Sequence, residues 1–446
     1  MKLNHQFINS QLAAYHSANR IIIAYSGGVD SHVLLHLLAS IPELKHKLFA
    51  IYVHHGLQAS AEHWAKHCQG ITNNLAVKFQ VLKVNAQAMQ GQSPEEAARD
   101  ARYQAFKQVL KKNDLLLFAQ HRDDQLETVL LQLFRGAGLK GLSGMPAAIN
   151  FGAGLLVRPL LDIDQQEIKQ YAQQQDLQWV EDPSNQDIQF DRNYLRHEIV
   201  PLLKQRWPSL DKTVARVAEH CAGAQTLLSN SAKQKMHTLY DPDKQCLCIK
   251  ALQEHEPLTQ QLIIREWLDL LGARMPSQKV MNAIIVDILN ARPDANPLIE
   301  HDACNIRRYR GGLYLVIPIK IPDLNELIAW ADNNQPLNLP DNGQLKIKDA
   351  WQGIAKTLWM QGRVEVKYRQ GGEKIALFNR NGRHSLKKLY QEEGIAPWLR
   401  DVIPLVYING TLAAIADYWI SADFYGQNEA CVQLFWERQG EVVSLK

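Results

Sequence analysis

The 446-residue sequence has few cysteines, and they form no recognisable motif. No two of them stand at the CxxC spacing, which disfavours a zinc knuckle or a thioredoxin-like redox site. Scattered, unpaired cysteines in a long chain are typical of a reducing compartment. The six positions are Cys68, Cys221, Cys246, Cys248, Cys304 and Cys431.

Long apolar runs are also missing. No run approaches the roughly 18 residues of a membrane-spanning helix, and the first twenty residues lack the apolar segment of a secretory signal. We therefore expect a cytoplasmic protein. Its net charge of +3 is a weak basic excess, which permits a nucleic-acid partner without requiring one.

Between Ile21 and about Val180, apolar runs alternate with helical patterns. The runs read as buried strands and are RIIIAY, LFAIYV, VKFQVLKV, DLLLFA and GLLVRPL. The helical patterns cover Val29–Ser40, Ala61–Leu75, Pro94–Lys111 and Asp123–Phe134. This alternation predicts an α/β fold with a doubly wound, mostly parallel sheet. Such sheets bind ligands at the carboxyl ends of their strands.

The alternation of strand and helix patterns stops at about residue 209. From there to residue 290 the pattern is mainly helical. Strand content rises again from Ala350, after a segment rich in Asn, Pro and Gly at 333–343. We expect a catalytic domain at 1–215, a mainly helical domain at 216–330 and a small α+β domain at 350–446. At this length two or three domains are the usual number.

The first apolar run leads into Ser26-Gly27-Gly28-Val29-Asp30-Ser31 and then a helix. Glycines allow close approach of backbone to a ligand, and the N–H groups at a helix start bind anions. The loop is therefore a predicted phosphate site, in which Ser26 and Ser31 add hydroxyl donors. Asp30 beside an anion is explained by a bound magnesium ion.

This loop lacks the lysine of a Walker A motif and does not fit GxGxxG. The structural alternative is a plain strand-to-helix turn whose Ser or Asp caps the helix. The full string of six residues favours the phosphate site over that alternative.

The SGGxDS string resembles the PP-loop of N-type ATP pyrophosphatases. Further segments narrow the resemblance, and together they are similar to the long form of the tRNA(Ile)-lysidine synthetases over most of the chain. In order they are VHHGLQ, SPEEAARDARY, HRDDQLET, RGAGLKGLSGMP, RPLL, EDPSNQDIQFDRNYLR and, near the end, RQGGEKI…NGRHSLKKLYQEEGIAPWLRD. The resemblance implies a PP-loop ATPase fold of the adenine-nucleotide alpha hydrolase type, followed by tRNA-contacting domains.

The resemblance also implies a reaction. ATP, with Mg²⁺, adenylates C2 of the wobble cytidine in a CAU-anticodon isoleucine tRNA and releases pyrophosphate. The side-chain amine of free L-lysine then displaces AMP and forms lysidine. By this resemblance, ATP binds at Ser26, Gly27, Gly28, Val29, Asp30 and Ser31.

Three acids open the helical pattern in HRDDQLET. Asp123 and Asp124 lie four and three residues before Glu127, so these side chains share one helix face. They can hold an ammonium group or magnesium, although acids also favour the first turn of any helix. The resemblance implies that Asp124 and Glu127 bind the lysine, and Glu127 is a hypothetical base for its amine. His121 is a candidate contact to nucleotide or base, or a structural histidine.

Four arginines are candidate anion contacts. Arg99 is read either as a catalytic contact to phosphate or as a surface partner of Glu95. The resemblance implies that Arg135 lies near the tRNA or the active site; alternatively, Arg135 merely complements a helix dipole. Arg192 and Arg196 have like charge four residues apart, which disfavours a helix unless they share an anion. Their predicted role is tRNA binding, and the alternative is two separate solvent-facing arginines.

One position departs from the family pattern. Gln58 stands where these enzymes commonly have arginine after HGL. Glutamine can donate a hydrogen bond but cannot neutralise a phosphate.

Residues 361–400 contain nine lysines and arginines against four glutamates, with aromatic residues between them. This composition fits RNA contact, although an ordinary charged surface is the alternative for any single residue. Lys387 and Lys388 are the named tRNA-binding candidates. A homodimer is a further possibility.

Three other functions compete. A tRNA thiolase shares the loop but usually needs catalytic cysteines. A small-molecule ligase of the NAD synthetase type leaves the basic C-terminal region unexplained. A non-catalytic RNA-binding protein would retain the loop without its chemistry.

Overall fold

The computed structural model describes residues 3–54, 61–85, 87, 94–292, 295–318, 320 and 327–438. The chain divides into two compact units, Met1–Leu227 and Leu228–Lys446. The predicted division into three domains is a finer one and stays a prediction. No helix in the described ranges has the length and apolar character needed to cross a bilayer.

The first unit is built on a six-stranded sheet in the order β3-β2-β1-β4-β6-β5. Its strands are β1 Arg20–Ala24, β2 Leu48–His54, β3 Lys78–Lys83, β4 Asp114–Leu117, β5 Ala148–Phe151 and β6 Gly154–Val157. All neighbours are parallel except β5, which pairs antiparallel with β6 at the edge. The predicted α/β fold with a mostly parallel sheet is confirmed. The order turns around at β1, so the end of β1 is a ligand-binding position in such sheets.

Helices cover both faces of this sheet, which is why the strands read as continuous apolar runs. The helices of this unit are α1 His5–Leu12, α2 Val29–Ala39, α3 Pro42–Lys45, α4 Ala61–Asn74, α5 Pro94–Val109, α6 Arg122–Phe134, α7 Leu139–Leu142, α8 Gln165–Gln174, α9 Asp191–Tyr194 and α10 Val200–Arg206, and α11 Leu210–Leu239 continues into the second unit. One face of β1 contributes Ile21 and Ile23 to a core with α2, while Ile22 on the other face packs with Phe106 of α5. Burial on both faces therefore fixes the end of β1 as a rigid platform.

The second unit begins within α11 and holds two groups of sheets. Its first part contains β7 Tyr240–Asp241, β8 Cys246–Cys248, α12 Ile249–Gln253, α13 Pro257–Leu270, α14 Gln278–Ala283, β9 Leu298–His301, β10 Cys304–Tyr309 and β11 Gly312–Val316. These strands form one sheet in the order β7-β8-β11-β10-β9. The helices pack on it around the fully buried Trp267.

The rest of the second unit is a smaller α+β region. It contains β12 Ile328–Ala329, β13 Leu337–Leu339, β14 Gly343–Ala355, α15 Lys356–Gln361, β15 Val364–Lys367, β16 Lys374–Ala376, β17 Arg383–Ser385, α16 Leu386–Glu393, α17 Pro397–Arg400, β18 Leu405–Ile408, β19 Thr411–Ile415, β20 Trp419–Ile420 and β21 Tyr425–Glu437. The long antiparallel pair β14 and β21 runs beside the sheet β12-β15-β18-β19-β20, and β16 and β17 form a separate hairpin.

Candidate active site

The loop after β1 makes a sharp turn that requires glycine at its second position. Gly27 has φ +83°, and a Cβ there would lie 2.9 Å from the Sγ of Cys68. The Gly27 carbonyl accepts a hydrogen bond of 3.0 Å from the backbone N–H of Val180. Cys68 and the backbone of Val180 therefore hold the turn in place. The side of the turn away from them is open to a ligand.

Hydrogen bonds within the loop close it into a cradle at the start of α2. The backbone N–H of Ser26 donates to Ser31 Oγ at 3.2 Å, and that hydroxyl donates to the Gly28 carbonyl at 3.0 Å. The two serine hydroxyls lie 3.1 Å apart. The helix begins at Val29 and has no side-chain cap, so the N–H groups of its first turn lack intrahelical partners. This geometry is that of an anion site.

Asp30 occupies the first turn of α2 beside this cradle. Burial raises the pKa of its carboxyl, against the attraction of His121 and Arg196. Its Oδ1 atom is buried and has no hydrogen-bond partner among the described residues. A buried carboxylate oxygen without a partner is costly unless a ligand completes it.

A pocket of about 1150 Å³ opens over the loop. Its volume exceeds the roughly 300–1,000 Å³ of ordinary small-molecule sites, so it has room for more than one small substrate. Part of its wall is the segment 179–186, which follows α8, and another part comes from α5. Of the predicted site residues, it is lined by Ser26, Gly28, Val29, Asp30, Ser31, Arg99, Asp124, Arg192 and Arg196.

The acidic helix α6 and two arginines form a buried ion network at this pocket. Glu127 is only 2% exposed. Arg192 Nε donates to Glu127 Oε2 at 2.7 Å, and Arg196 Nε donates to Oε1 at 2.6 Å. The anion that lets these like charges share a helical segment is therefore the Glu127 carboxylate. The two arginines are not separate surface residues.

Asp124 belongs to the same network and reaches the pocket. Its Oδ1 accepts from Arg192 at 3.0 Å and from Arg196 at 3.2 Å. Its Oδ2 accepts from the backbone N–H of His121 at 3.0 Å. Burial alone would raise the pKa of Asp124, but the attraction of His121, Arg192 and Arg196 outweighs it and lowers that pKa. Asp124 is thus held as a carboxylate at the pocket wall.

His121 is buried between three carboxylates at the start of α6. Its Nε2 lies 3.4 Å from Asp124 Oδ2 and 3.7 Å from Asp30 Oδ2, and its Nδ1 lies 3.8 Å from Asp123 Oδ2. The ring is 1% exposed and does not line the pocket. It therefore joins α2 to α6 behind the site, and any contact with nucleotide or base stays a prediction.

Asp123, the third acid, faces away from the pocket. Lys204 of α10 donates to its Oδ1 at 2.5 Å, and the Gln165 backbone N–H donates to its Oδ2 at 2.9 Å. Burial raises the pKa of Asp123, but these two donors outweigh burial and lower it. Asp123 thus anchors the helix, while Asp124 and Glu127 face the arginines.

Arg99 lies at the pocket, with its guanidinium carbon 5.4 Å from the ring centre of Tyr103. This cation–π contact holds the guanidinium beside Tyr103, which also lines the pocket. The side chain of Glu95 lies outside the described residues, so the alternative pairing with Glu95 stays open. Gln58 and Ser93 also lie outside the described residues.

The remaining predicted residues lie outside this pocket. Arg135 is exposed and ends α6, and Gly136 follows with φ +69° as its left-handed terminator. Lys387 and Lys388 are exposed at the start of α16 in the second unit. Their predicted role in tRNA binding stays a prediction.

The described residues hold no cluster of three or more His, Cys, Asp or Glu side chains arranged for a metal ion. Magnesium commonly binds through one or two carboxylates together with substrate phosphates. The unpartnered Oδ1 of Asp30 beside the anion cradle fits that mode of binding, and a dedicated protein cage is not needed.

Comparison with protein-family profiles finds three matches along this chain. The PP-loop domain profile matches residues 2–203, the TilS substrate binding domain 247–314 and the TilS substrate C-terminal domain 364–436. The tRNA(Ile)-lysidine synthase of Methylococcus capsulatus is 39% identical over 426 residues, 95% of this chain and 97% of that protein. The tRNA(Ile)-lysidine synthase of Coxiella burnetii is 41% identical over 415 residues, 93% of this chain and 92% of the relative.

This chain belongs to the tRNA(Ile)-lysidine synthase family. The predicted family resemblance is confirmed, and with it the use of ATP by a PP-loop domain. Among solved structures, the U34-tRNA thiolase NcsA from Methanococcus maripaludis aligns with a TM-score of 0.41 at 16% identity, over 48% of this chain and 76% of that one.

In this lysidine synthase family member, the structure adds pocket residues that sequence reasoning missed. Lys169 of α8 lines the pocket and attracts Asp30, while Arg102 lies one turn from Arg99. Trp64 and Trp179 add aromatic walls. Lys169, Trp64 and Trp179 lie outside the segments that carry the family resemblance. Arg102 lies within SPEEAARDARY, and its spacing of three from Arg99 places both on one helix face.

Proposed function

We propose that this protein ligates L-lysine to C2 of the wobble cytidine in a CAU-anticodon isoleucine tRNA. The products are lysidine, AMP and pyrophosphate, and the intermediate is the adenylated cytidine. Relatives named tRNA(Ile)-lysidine synthase, aligned over nearly the whole chain, support this assignment. The observation that carries it is the glycine cradle with the unpartnered Oδ1 of Asp30, opening into the same pocket as Asp124 and two arginines.

The Ser26–Ser31 cradle holds the leaving group in this proposal. Its backbone N–H groups and hydroxyls face the pyrophosphate end of ATP, where negative charge grows as the bond to the α-phosphate breaks. Asp30 would hold magnesium, whose charge neutralises the phosphates. Lys169 and Arg99 on the pocket wall supply further positive charge.

Asp124 and Glu127 are the proposed lysine-binding residues, with different parts. Asp124 reaches the pocket, where its carboxylate is available to an ammonium group. Glu127 touches the two arginines through both oxygens, so it fixes their positions beside the substrate. The amine must lose a proton before it attacks, and a nearby carboxylate can take that proton; Glu127 remains the hypothetical base.

The two arginines connect the acids to the nucleic acid in this proposal. Each guanidinium has donors beyond those used on Glu127 and Asp124, and both residues line the pocket. A phosphate or the adenylated base that enters the pocket would meet them. Arg135, Lys387 and Lys388 are proposed contacts to the tRNA outside it.

The decisive experiment supplies ATP, labelled lysine and an unmodified CAU-anticodon isoleucine transcript. We expect lysine to be incorporated into this tRNA, with pyrophosphate released, and not into a methionine tRNA with the same anticodon. Pyrophosphate release without incorporation of lysine would contradict the proposed nucleophile. Equal labelling of both tRNAs would contradict the proposed substrate.

Thiolase chemistry on this loop is not favoured by the cysteines. Cys68 lies beneath the loop, but burial raises the pKa of its thiol to about 12, so it is protonated at neutral pH. Cys246 and Cys304 are buried in the second unit, and burial raises the pKa of both thiols. A variant lacking every cysteine should therefore still incorporate lysine.

We also propose a cytoplasmic location and consider a homodimeric assembly. Scattered free cysteines fit the reducing cytoplasm, where tRNA is found. A homodimer stays a possibility that size-exclusion chromatography with light scattering would decide.

A further inference from the structure

A pair of stacked aromatic rings lies at the surface of the C-terminal region. The rings of Phe378 and Tyr425 have centres 4.4 Å apart and planes inclined by 28°. Phe378 is nevertheless 55% exposed. An exposed phenylalanine held flat by a second ring presents a rigid aromatic face to solvent.

The backbone around this pair is well fixed. Phe378 lies in the turn between β16 and β17, where the N–H of Arg380 donates to the Leu377 carbonyl at 3.1 Å. Leu377 forms a bridge with Ser421, and the N–H of Ala422 donates to the Ala376 carbonyl at 2.8 Å. The hairpin is thus attached to the segment that leads into Tyr425, so little ordering is needed when a ligand binds.

The sequence segment that carries Phe378 is basic. Residues 374–393 contain five lysines and arginines and two glutamates. Arg383 ends the same turn, and Lys387 and Lys388 begin the helix that follows; all three are exposed. Arg380 is exposed and pairs with Glu392 of α16 at 2.5 Å, which ties the turn to that helix. A flat ring among cations matches a base flanked by phosphates.

We propose that Phe378, supported by Tyr425, is a stacking platform for an unpaired nucleotide of the tRNA. This inference rests on the proposed function, because it assumes a tRNA substrate. The wobble cytidine enters the pocket of the first unit, so the base on Phe378 is a different one. The neighbouring cations Arg383, Lys387 and Lys388 contact the phosphates on either side of that base.

The chemistry favours RNA over a protein partner. A docking surface for protein would be expected to present a larger apolar core, whereas the segment that carries Phe378 is rich in exposed cations. Every base has a flat face, so stacking on one ring anchors the tRNA without reading its sequence.

The test compares four single variants in the full-length protein with isoleucine tRNA. Phe378→Leu keeps apolar bulk without an aromatic face, and Phe378→Tyr keeps the face. Tyr425→Ala removes the supporting ring. Trp351→Ala is the matched control, because Trp351 is a 79% exposed aromatic residue of the same unit. The measurements are KM for tRNA, KM for lysine, kcat and the oligomeric state.

We expect Phe378→Leu and Tyr425→Ala to raise KM for tRNA about tenfold, the loss typical of one stacked base. KM for lysine and kcat should stay unchanged, and Phe378→Tyr and Trp351→Ala should behave as wild type. Equal KM values for the Leu and Tyr variants would overturn stacking. A changed oligomeric state with unchanged KM for tRNA would assign the surface to a second copy of the chain instead.

The outcome separates this inference from the proposed function. If the wild-type protein incorporates no lysine into tRNA, the proposed function fails. If wild type is active and Phe378→Leu has the wild-type KM for tRNA, only the stacking platform fails.

Discussion

At the scale of single residues, Gly27 has a backbone conformation that shapes the loop proposed to bind ATP. Its φ of +83° and the 2.9 Å that would separate a Cβ from Cys68 Sγ exclude a side chain without rearrangement. We expect Gly27→Ala to destabilise the first unit by about 1–3 kcal/mol and to raise KM for ATP, because the cradle must deform. Thermal unfolding and ATP kinetics measure both effects.

Gly70→Ala is the control for this prediction. Gly70 lies in α4, and a Cβ added there would meet no other atom within 4 Å, so alanine should stabilise the helix slightly. A Gly27→Ala protein with unchanged melting temperature and KM for ATP would contradict the role given to the turn.

Glu127 is the second residue whose replacement tests the site, because its carboxylate accepts hydrogen bonds from both Arg192 and Arg196. We expect Glu127→Gln to destabilise the protein by about 2–3 kcal/mol, below the range for fully buried pairs because the arginines are partly exposed. Lysine incorporation should fall about 100-fold. Full activity in this variant would exclude Glu127 as the base.

At the scale of elements, α6 is anchored by carboxylates that must stay ionised. The pKa of Asp123 is lowered in the folded state by Lys204 and the Gln165 N–H. Its stabilising effect is therefore complete above the unfolded pKa of about 4 and is lost as pH falls through the lower folded value. We expect the free energy of unfolding to decrease below about pH 4, and Asp123→Asn to flatten this decrease.

Asp176→Asn is the matched control for the acid sensitivity of α6. Asp176 is exposed with φ +50°, a conformation that asparagine tolerates. An identical pH dependence of unfolding in wild type and Asp123→Asn would show that the anchor contributes nothing.

The two lysines at the start of α16 allow an electrostatic test of RNA binding. Replacing both Lys387 and Lys388 by alanine should weaken tRNA binding and reduce the slope of log K against log salt by about 1–2. Lys356→Ala is the control, because Lys356 is a partly exposed lysine of the same region that pairs with Asp349. An unchanged salt slope in the double variant would remove these lysines from the interface.

At the scale of the whole molecule, each compact unit has its own hydrophobic core. We expect calorimetry to resolve two unfolding transitions, of which ATP shifts only the one of the first unit. At ATP concentrations 100 times Kd the stabilisation is about 2.7 kcal/mol.

The Asp30→Asn variant tests whether the ATP-dependent shift in that calorimetry experiment comes from ATP bound at the loop after β1. The variant should lose most of the ATP-dependent shift while keeping both transitions, because in the proposed function Asp30 supports the phosphates through magnesium, and it belongs to no core cluster of the first unit. An equal shift of both transitions in wild type would contradict a site confined to the first unit.

Local sequence patterns determined most of the fold. The predicted helix at Val29–Ser40 ends one residue earlier in the structure, and all five predicted strands of the first region are present. The edge strand β5 was missed, because two of its four residues are exposed and it lacks the continuous apolar run of the central strands. Short edge strands owe their form to a neighbour rather than to their own composition.

By itself the sequence determined the glycine-containing loop, the acidic helix and the family, because each is recognisable in runs of consecutive residues. Only the tertiary structure decided how the charges combine. It placed Arg192 and Arg196 on Glu127, 65 and 69 residues away in the chain, turned Asp123 toward Lys204 and brought Phe378 onto Tyr425. Side chains on one helix face can be read from spacing, whereas partners on different elements are chosen by the packing that brings those elements together.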